Sequence, residues 1–263
     1  MPKRYVTLLG KAVRVVARIR GGGSALPGLV VEKIDPQFIQ RTLATLPRGV
    51  VIISGTNGKT TTTKMVVELL EGQGLKVFTN RTGSNFTRGV AAALIGEVDM
   101  KGKLDADIAV LELDEAHAVH FVRTIPPKYS LILNVMRDQL DRFGEIDTTA
   151  TLLQTIASAT TDTVVLNRED ERIAALQNTL VTQRVRFFGL SDDLLATFPS
   201  DDKLHGGISR AAAISADVTL SSFLHDKARF LIDGKEVTTP LKLRGIYNVY
   251  NAAAALSLVR AIL

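Results

Sequence analysis

Residues Val50–Val67 read VVIISGTNGKTTTTKMVV and predict a strand, a tight loop and the start of a helix. Val50–Ile53 is a continuous apolar run rich in β-branched side chains, which is typical of a strand covered on both faces of a parallel sheet. Gly55 and Gly58 let the loop backbone approach a bound group closely, and the amides after Gly58 open a helix whose N-terminus favours anions. The stretch therefore indicates phosphate binding.

The polar side chains of this loop suit a nucleotide. Lys59 supplies a mobile positive charge for β- and γ-phosphates, and the hydroxyl of Thr60 is placed for Mg²⁺. The strict GxxxxGK[ST] pattern fails because Ile53 stands where its first glycine belongs, so only the shorter form GTNGKT is present. The alternative, a glycine-rich turn that binds no ligand, would not explain the presence of Lys59 and the run Thr60–Thr63.

Alternating apolar runs and helical segments predict an α/β fold with a doubly wound, mostly parallel sheet. The further strands are expected at Leu75–Thr79, Asp107–Leu111, Tyr129–Val135, Thr163–Asn167 and Val185–Phe188. This rhythm breaks over residues 190–216. Strand-like runs then follow at Val218–Ser222, Ala228–Ile232 and Val237–Leu243, and the Asp233-Gly234 turn between the last two predicts a small antiparallel β addition.

Polar residues follow several of the predicted strands, where doubly wound sheets bind ligands. Glu112, Asp114 and Glu115 come after the third strand, and a carboxylate there can reach a Mg²⁺ held by Thr60. The alternative is that these acids cap the following helix. The loop NRTGSNFTR, residues 80–88, is a possible substrate loop, as is RDQLDRFGEID, residues 137–147. Their candidate contacts are Thr82, Ser84, Asn85, Asp141 and Arg142.

Residues 3–20 carry six basic side chains and no acidic one. Lys11, Arg14 and Arg18 recur at helical spacing and interrupt the apolar centre that a signal peptide needs. The segment is either a helix packed on the domain edge or a membrane-surface helix attracted to anionic lipid. Gly21–Ser24 is interpreted as a flexible link and Pro27-Gly28 as a turn. Residues 1–40 are thus expected to precede a main domain at 41–263, in which 190–243 is irregular or antiparallel.

The composition excludes several classes of protein. The 263 residues contain 32 basic and 27 acidic side chains, no cysteine and no tryptophan, and aromatic residues make up 5%. Disulfides and thiolate metal sites are therefore impossible, and a base-stacking surface for nucleic acid is disfavoured. No apolar run has the length of a membrane span. His117 and His120 lack a zinc-binding pattern and are expected to be solvated or capping.

Five stretches together carry a family resemblance: GTNGKTTTT, TNRTGSNFTRG, LELDEA, NVMRDQLDRFGE and GIYNVYNAAAA. In this order and spacing they resemble the central ATPase domain of the Mur ligases. With GGGSALPG they are most similar to the MurT branch, the synthetase subunits of lipid II isoglutaminyl synthases. The resemblance implies ATP and Mg²⁺ as cofactors. It implies an ATP site formed by Gly55, Thr56, Asn57, Gly58, Lys59, Thr60 and Thr61, with adenine contacts from Asn248 and Asn251.

The same resemblance assigns Mg²⁺ to Thr60 and Glu112, and catalytic roles to Lys59, Glu112 and Asp138. It implies an ATP-dependent carbon–nitrogen ligase that activates the D-glutamate α-carboxylate of the lipid II stem peptide as an acyl phosphate. Ammonia from a GatD-type glutamine amidotransferase partner then converts it to D-isoglutamine. Such a protein would be cytoplasmic, at the inner leaflet of the plasma membrane, and would not bind nucleic acid.

The chain departs from the family pattern in ways that bear on these roles. Gln139 stands where amino-acid-adding members have a histidine for a second Mg²⁺, and Thr148–Thr161 contains no lysine to be carbamylated. Without cysteine, the four-cysteine zinc ribbon of many MurT-like chains is impossible, and no zinc is expected. The family's carboxyl-terminal domain is absent, so this chain alone is expected to be inactive. The alternatives are another Mur or folylpolyglutamate-type ligase, or a non-catalytic nucleotide-binding regulatory module.

Overall fold

The computed structural model describes residues 3–19, 25–80, 86–136, 145–198, 214–224, 227–240 and 245–263. These residues confirm the predicted α/β class, with a mostly parallel sheet and an antiparallel addition. The strands are β1 (Val50–Ser54), β2 (Val77–Thr79), β3 (Ile108–Glu112), β4 (Tyr129–Ile132), β5 (Thr163–Asn167), β6 (Arg184–Leu190), β7 (Val218–Leu224), β8 (Lys227–Ile232) and β9 (Lys235–Pro240).

The helices cover both faces of the sheet. They are α1 (Arg4–Ile19), α2 (Leu26–Ile34), α3 (Phe38–Leu43), α4 (Lys59–Gly72), α5 (Thr87–Glu97), α6 (Glu115–Thr124), α7 (Glu145–Ala159), α8 (Glu171–Ala175) and α9 (Ile246–Ile262). Short 3₁₀ segments lie at Leu176–Thr179 and Asp192–Leu194. None of the helices in the described ranges combines the length and apolar character needed to cross a membrane.

The described strands form one sheet in the order β2-β3-β1-β4-β5-β6-β7-β8-β9. β1 to β7 run parallel, and β8 and β9 return antiparallel from β7. The antiparallel strands therefore extend the main sheet and do not form a separate unit. β1 lies between β3 and β4, where the chain switches from building one side of the sheet to building the other, which is where doubly wound folds bind ligands.

Alternate side chains of β1 enter two separate hydrophobic cores. Val50 and Ile52 pack in the core covered by α1 to α3 and α5 to α8. Val51 and Ile53 pack in the second core, which is covered by α4 and α9. The β1 side chains are 4% exposed or less, so the strand is fixed on both faces, as its continuous apolar sequence predicts.

Several expected boundaries shift. Pro27-Gly28 is not a turn: both residues lie in the first turn of α2, where proline is tolerated because its missing N–H has no helical partner. β4 ends at Ile132 and not at Val135, because the amide of Val135 leaves the ladder and donates to the Asp170 carboxylate at 2.7 Å. The link at residues 21–24 and the strand end at Leu243 lie outside the described residues.

Close packing of α2 on α5 depends on Gly28. A β-carbon at this position would lie 1.9 Å from the backbone oxygen of Arg88 and 3.0 Å from the amide of Ala92.

We expect Gly28→Ala to lower the free energy of unfolding by about 1 to 3 kcal/mol, because the two helix backbones must separate. Urea unfolding of the purified protein measures this. The control is Gly72→Ala at the end of α4, where nothing lies within 4 Å. Equal stability of the two variants would contradict the assigned packing.

Candidate functional site

The loop after β1 is held by a pair of asparagines. The amide N–H of Asn57 donates to Oδ1 of Asn134 at 2.9 Å, and Nδ2 of Asn134 donates to the carbonyl of Asn57 at 3.0 Å. The amide of Thr56 donates to the carbonyl of Asn134 at 3.0 Å. The hydroxyl of Thr56 accepts from the amide of Met136 at 3.1 Å. These hydrogen bonds fix the loop to the segment that follows β4.

Gly58 begins helix α4 in a left-handed conformation, with φ at 87°. A β-carbon here would lie 2.9 Å from Oδ1 of Asn251 in α9. Both the backbone angle and the close approach of α9 therefore require glycine. The amides at the start of α4 have no side-chain cap. They are donors available to an anion at a helix N-terminus.

The lysine and threonine of the loop lie beside the carboxylates after β3. Nζ of Lys59 donates to the carbonyls of Gly55 at 2.5 Å and Thr56 at 3.1 Å, and it lies 3.3 Å from Oε1 of Glu115. The Thr60 hydroxyl donates to Oε1 of Glu112 at 2.7 Å. The structure therefore brings together Lys59, Thr60 and Glu112, as the sequence analysis expected.

Glu112 is held in place through its backbone. Nδ2 of Asn80 donates to the carbonyl of Glu112 at 2.8 Å, and Oδ1 of Asn80 accepts from its amide at 3.0 Å. Asp114 serves the alternative role considered above, because its carboxylate caps α6 by accepting from the amide of Ala116 at 3.2 Å. The carboxylate that faces Thr60 is thus on a fixed strand end, and Asp114 is engaged in helix capping.

A cavity of about 420 Å³ lies next to the loop and shares residues with it. Amide, carboxylate and aromatic side chains form most of its wall, with apolar area from Val135 and Met136. The lining residues are Asn57, Gly58, Thr61, Asn134, Val135, Met136, Asn167, Glu169, Asp170, Phe198, Tyr247, Asn248, Tyr250 and Asn251. The predicted adenine residues Asn248 and Asn251 are both among them.

Three aromatic rings meet at one side of the cavity. The ring of Phe198 lies 5.8 Å from that of Tyr247 and 5.7 Å from that of Tyr250, measured between centroids. Phe188 packs behind Tyr250 at 5.2 Å. Aromatic faces beside amide groups suit a planar heteroaromatic ligand, because rings give stacking area while asparagine both donates and accepts hydrogen bonds.

A hydrogen-bond network after β5 supports this wall. The Tyr250 hydroxyl donates to Oδ1 of Asn167 at 2.5 Å, and Nδ2 of Asn167 donates to the carbonyl of Leu133 at 2.8 Å. Oε1 of Glu169 accepts from Arg168 at 2.7 Å and from the amide of Leu190 at 2.9 Å. Burial raises the pKa of the Tyr250 hydroxyl well above its usual range, and the Glu169 carboxylate raises it further. The hydroxyl therefore remains a donor at neutral pH.

Sequence reasoning missed much of this cavity. The sequence places Asn134 and Asn167 only in predicted strands, and it assigns no role to Glu169 or Asp170. Their position at the carboxyl ends of β4 and β5 was the available signal. Phe198 gave no such signal, because its segment follows β6 without a recognisable pattern.

Other expectations fall outside the described residues. They concern Asp138, the substituted position Gln139, and the substrate-loop residues Thr82, Ser84, Asn85, Asp141 and Arg142. Within the part of the chain that the structure describes, no group of three or more histidines and carboxylates is arranged to hold a metal. His117 packs edge-on against Phe86, with ring centroids 4.2 Å apart.

Comparison with known proteins now identifies the family, since the Mur ligase middle domain matches residues 53–259. The chain belongs to the Mur ligase family. It is 30% identical over 282 residues to the MurT subunit of the glutamine-hydrolysing lipid II isoglutaminyl synthase of Streptococcus pneumoniae. It is 27% identical to the MurT subunit from Staphylococcus aureus strain COL. Each alignment covers 96% of this chain and 61% of the relative, so the chain spans less than two thirds of their length.

More distant relatives share the fold. A UDP-N-acetylmuramoylalanine–D-glutamate ligase from Bordetella parapertussis is 28% identical, with 95% of this chain and 47% of that protein covered. The crystal structure of MurF ligase from Thermotoga maritima, a complex with ADP, superposes with a TM-score of 0.65 at 19% identity. That match covers 86% of this chain and 49% of the other. The family match and the MurT relatives confirm the predicted family and its similarity to MurT, and the MurF structure confirms the fold.

The raised pKa of Tyr250 gives a pH test of the cavity wall. Below the usual tyrosine pKa of 10.0 the hydroxyl is neutral in the folded and unfolded chains, and we expect Tyr250→Phe to cost about 1 kcal/mol through the lost hydrogen bond. Above it, the unfolded chain releases the proton while the folded chain keeps it. The wild-type advantage over Tyr250→Phe should therefore shrink as the pH rises through about 10.

Denaturant unfolding of both proteins at neutral and alkaline pH measures this difference. Tyr5→Phe, at a ring that is 59% exposed, controls for loss of a tyrosine hydroxyl from the surface and should leave stability at pH 7 unchanged. A difference between wild type and Tyr250→Phe that grows with pH would contradict the burial of a neutral hydroxyl.

Proposed function

We propose that this chain is the nucleotide-binding part of an ATP-dependent ligase that amidates the peptide of lipid II. The observation that carries the proposal is the continuity of the loop at Gly55–Thr61 with the amide-lined cavity at Asn248 and Asn251. ATP would place its phosphates at the N-terminus of α4 and its adenine in the cavity. The MurT relatives, whose name denotes lipid II isoglutaminyl synthesis, support this choice of reaction.

The residues present fit a Mg²⁺ ion. The Thr60 hydroxyl and the Glu112 carboxylate are hard oxygen donors, and they already lie in direct contact at 2.7 Å. Both would hold the ion beside the phosphates. When bound, Mg²⁺ neutralises charge on the phosphoryl group and the leaving oxygen. Lys59 would exchange its contacts with loop carbonyls and Glu115 for phosphate oxygens, which adds a positive charge at the same place.

The proposed chemistry has two steps. A carboxylate oxygen of the stem-peptide glutamate attacks the γ-phosphorus of ATP, which forms the acyl phosphate and releases ADP. Ammonia then attacks the carbonyl carbon, phosphate leaves, and a proton is lost to give the amide. The first step is needed because a carboxylate oxygen is a poor leaving group and phosphate is a good one. Glutamine hydrolysis by a GatD-type partner would supply the ammonia.

The proposed reaction requires more than nucleotide binding, so its steps would be shared between this chain and further parts of the enzyme. We place nucleotide binding in this chain, with domain 41–263 as the ATP-binding unit. Amidation would need the further residues that the longer relatives possess. Because lipid II is a membrane lipid, catalysis would take place at the cytoplasmic face of the membrane.

The phosphate role of Lys59 is tested by Lys59→Ala. Loss of a charge-assisted contact of about 1.5 to 3 kcal/mol should weaken binding of Mg·ATP roughly ten- to a hundredfold, measured by calorimetry. Lys64→Ala, an exposed lysine on the same helix, is the matched control and should leave affinity unchanged. An unaltered affinity in Lys59→Ala would refute the phosphate assignment.

The adenine role of Asn251 is tested by comparing two ligands. Asn251→Ala should weaken ATP roughly five- to tenfold through loss of a neutral hydrogen bond, while inorganic triphosphate binds as before. Asn178→Ala, at an exposed asparagine outside the cavity, should change neither affinity. Equal losses for both ligands would show that Asn251 acts on the loop and not on adenine.

The complete reaction distinguishes the ligase types. Lipid II amidation should require ATP and the chain extended to the length of its relatives, with nitrogen from ammonium or from glutamine plus the glutaminase. Mass spectrometry detects the amide. Incorporation of an amino acid in place of ammonia would instead support another ligase of the family. Nucleotide binding without turnover by the extended protein would support a regulatory module.

A further inference from the structure

Helix α1 presents an uninterrupted apolar stripe to solvent. Its members recur at intervals of three and four residues, so they share one face of the helix. Their exposures run from 44% at Leu9 to 79% at Ile19, and the stripe consists of Tyr5, Leu8, Leu9, Ala12, Val15, Val16 and Ile19. A contiguous apolar patch of this kind is unusual on a protein surface and marks an interaction site.

The other side of α1 is already packed on the domain. Val6 and Ala17 are buried, and Gly10 lies so close to Val31 and Ile95 that a β-carbon would approach each at 2.8 Å. Arg14 lies against Gly96 at the end of α5. The helix is therefore fixed by the face opposite the stripe. The stripe cannot turn inward without breaking this contact.

A row of positive charge runs beside the stripe. Arg4, Lys11 and Arg18 recur every seven residues, which places them along one edge of the apolar face. Arg4 and Arg18 are exposed, and α1 contains no acidic residue. This combination of an apolar face with a cationic border is complementary to anionic headgroups above an acyl layer.

We propose that the stripe and its basic row form the surface by which this protein lies on an anionic lipid bilayer. The inference rests on the proposed function in one respect, since a ligase acting on lipid II must reach a substrate held in a membrane. A second copy of the chain fits this surface less well, because α1 offers no carboxylate to the basic row of its partner. The helix would lie in the interface plane with its stripe in contact with the acyl chains.

The test is co-sedimentation with vesicles in the absence of nucleotide. Wild type should pellet with vesicles of phosphatidylcholine mixed with phosphatidylglycerol. Val16→Asp combined with Ile19→Asp should reduce the partition coefficient at least roughly tenfold, because two charges enter the apolar face. The matched control combines Val181→Asp with Val237→Asp, at exposed valines outside the stripe, and should bind as wild type does.

The basic row is tested separately. Arg4→Gln with Arg18→Gln should weaken binding to the anionic vesicles roughly tenfold or more, and added salt should remove most of this difference. Lys101→Gln with Lys235→Gln, at exposed lysines elsewhere, provides the same change in net charge and should have little effect. Circular dichroism and sedimentation velocity confirm that each variant is folded and report its oligomeric state.

Failure of wild type to bind the anionic vesicles would overturn the inference, as would equal losses in the stripe variant and its valine control. A stripe variant that changes oligomeric state and not vesicle binding would assign the face to a second copy and would also overturn it. None of these outcomes bears on ATP binding by Lys59, so a failure here is distinguishable from a failure of the proposed function.

Discussion

The placement of β1 between β3 and β4 is the constraint on which the rest of the structure depends. Its side chains are buried on both faces, and its backbone pairs on both edges. The strand therefore delivers the loop Ser54–Gly58 to one fixed position at the switch point of the sheet. Polar residues at or just after the ends of β2, β3 and β4 converge there because parallel strands finish at the same edge. Asn80, Glu112 and Asn134 all act on that edge.

The site is built so that backbone positions are fixed while charged groups can exchange partners. Asn134 holds the loop by hydrogen bonds to its main chain, and Asn80 holds Glu112 in the same way. Among the described residues, Lys59 by contrast donates to two loop carbonyls and lies beside one carboxylate, and a phosphate could replace each of these contacts. Such a frame would suit the phosphoryl transfer proposed above, because catalysis of that reaction depends on positioning and charge stabilisation.

The sequence predicted the elements whose signals are local. A few neighbouring residues were enough to predict the β1 strand, the glycine loop and the acid after β3. The family resemblance added Asn248 and Asn251. The cavity was beyond such reasoning, because Asn167, Phe198 and Tyr250 come from three distant segments and meet only after the sheet has formed. The turn predicted at Pro27 was wrong for a related reason. Proline is common both in turns and at the start of a helix, and packing on α5 decides between the two.

For the N-terminal helix, too, the sequence predicted the local structure but not the long-range packing. Basic residues at helical spacing predicted an amphipathic helix and left two roles open, at the domain edge or at a membrane. The structure places one face on α2 and α5 and leaves the apolar stripe exposed, so both roles are compatible. The sequence alone could not show which apolar residues the domain would bury.

We propose above that the loop and the adjoining cavity form one nucleotide site. A crystal structure of the protein with Mg²⁺ and a non-hydrolysable ATP analogue tests it most directly. We expect phosphates on the amides of Gly58–Thr61, Nζ of Lys59 moved from Glu115 to a phosphate oxygen, and adenine between Tyr250 and the amides of Asn248 and Asn251. Phosphates bound at the loop with the adenine outside this cavity, or no density at the loop at all, would contradict it.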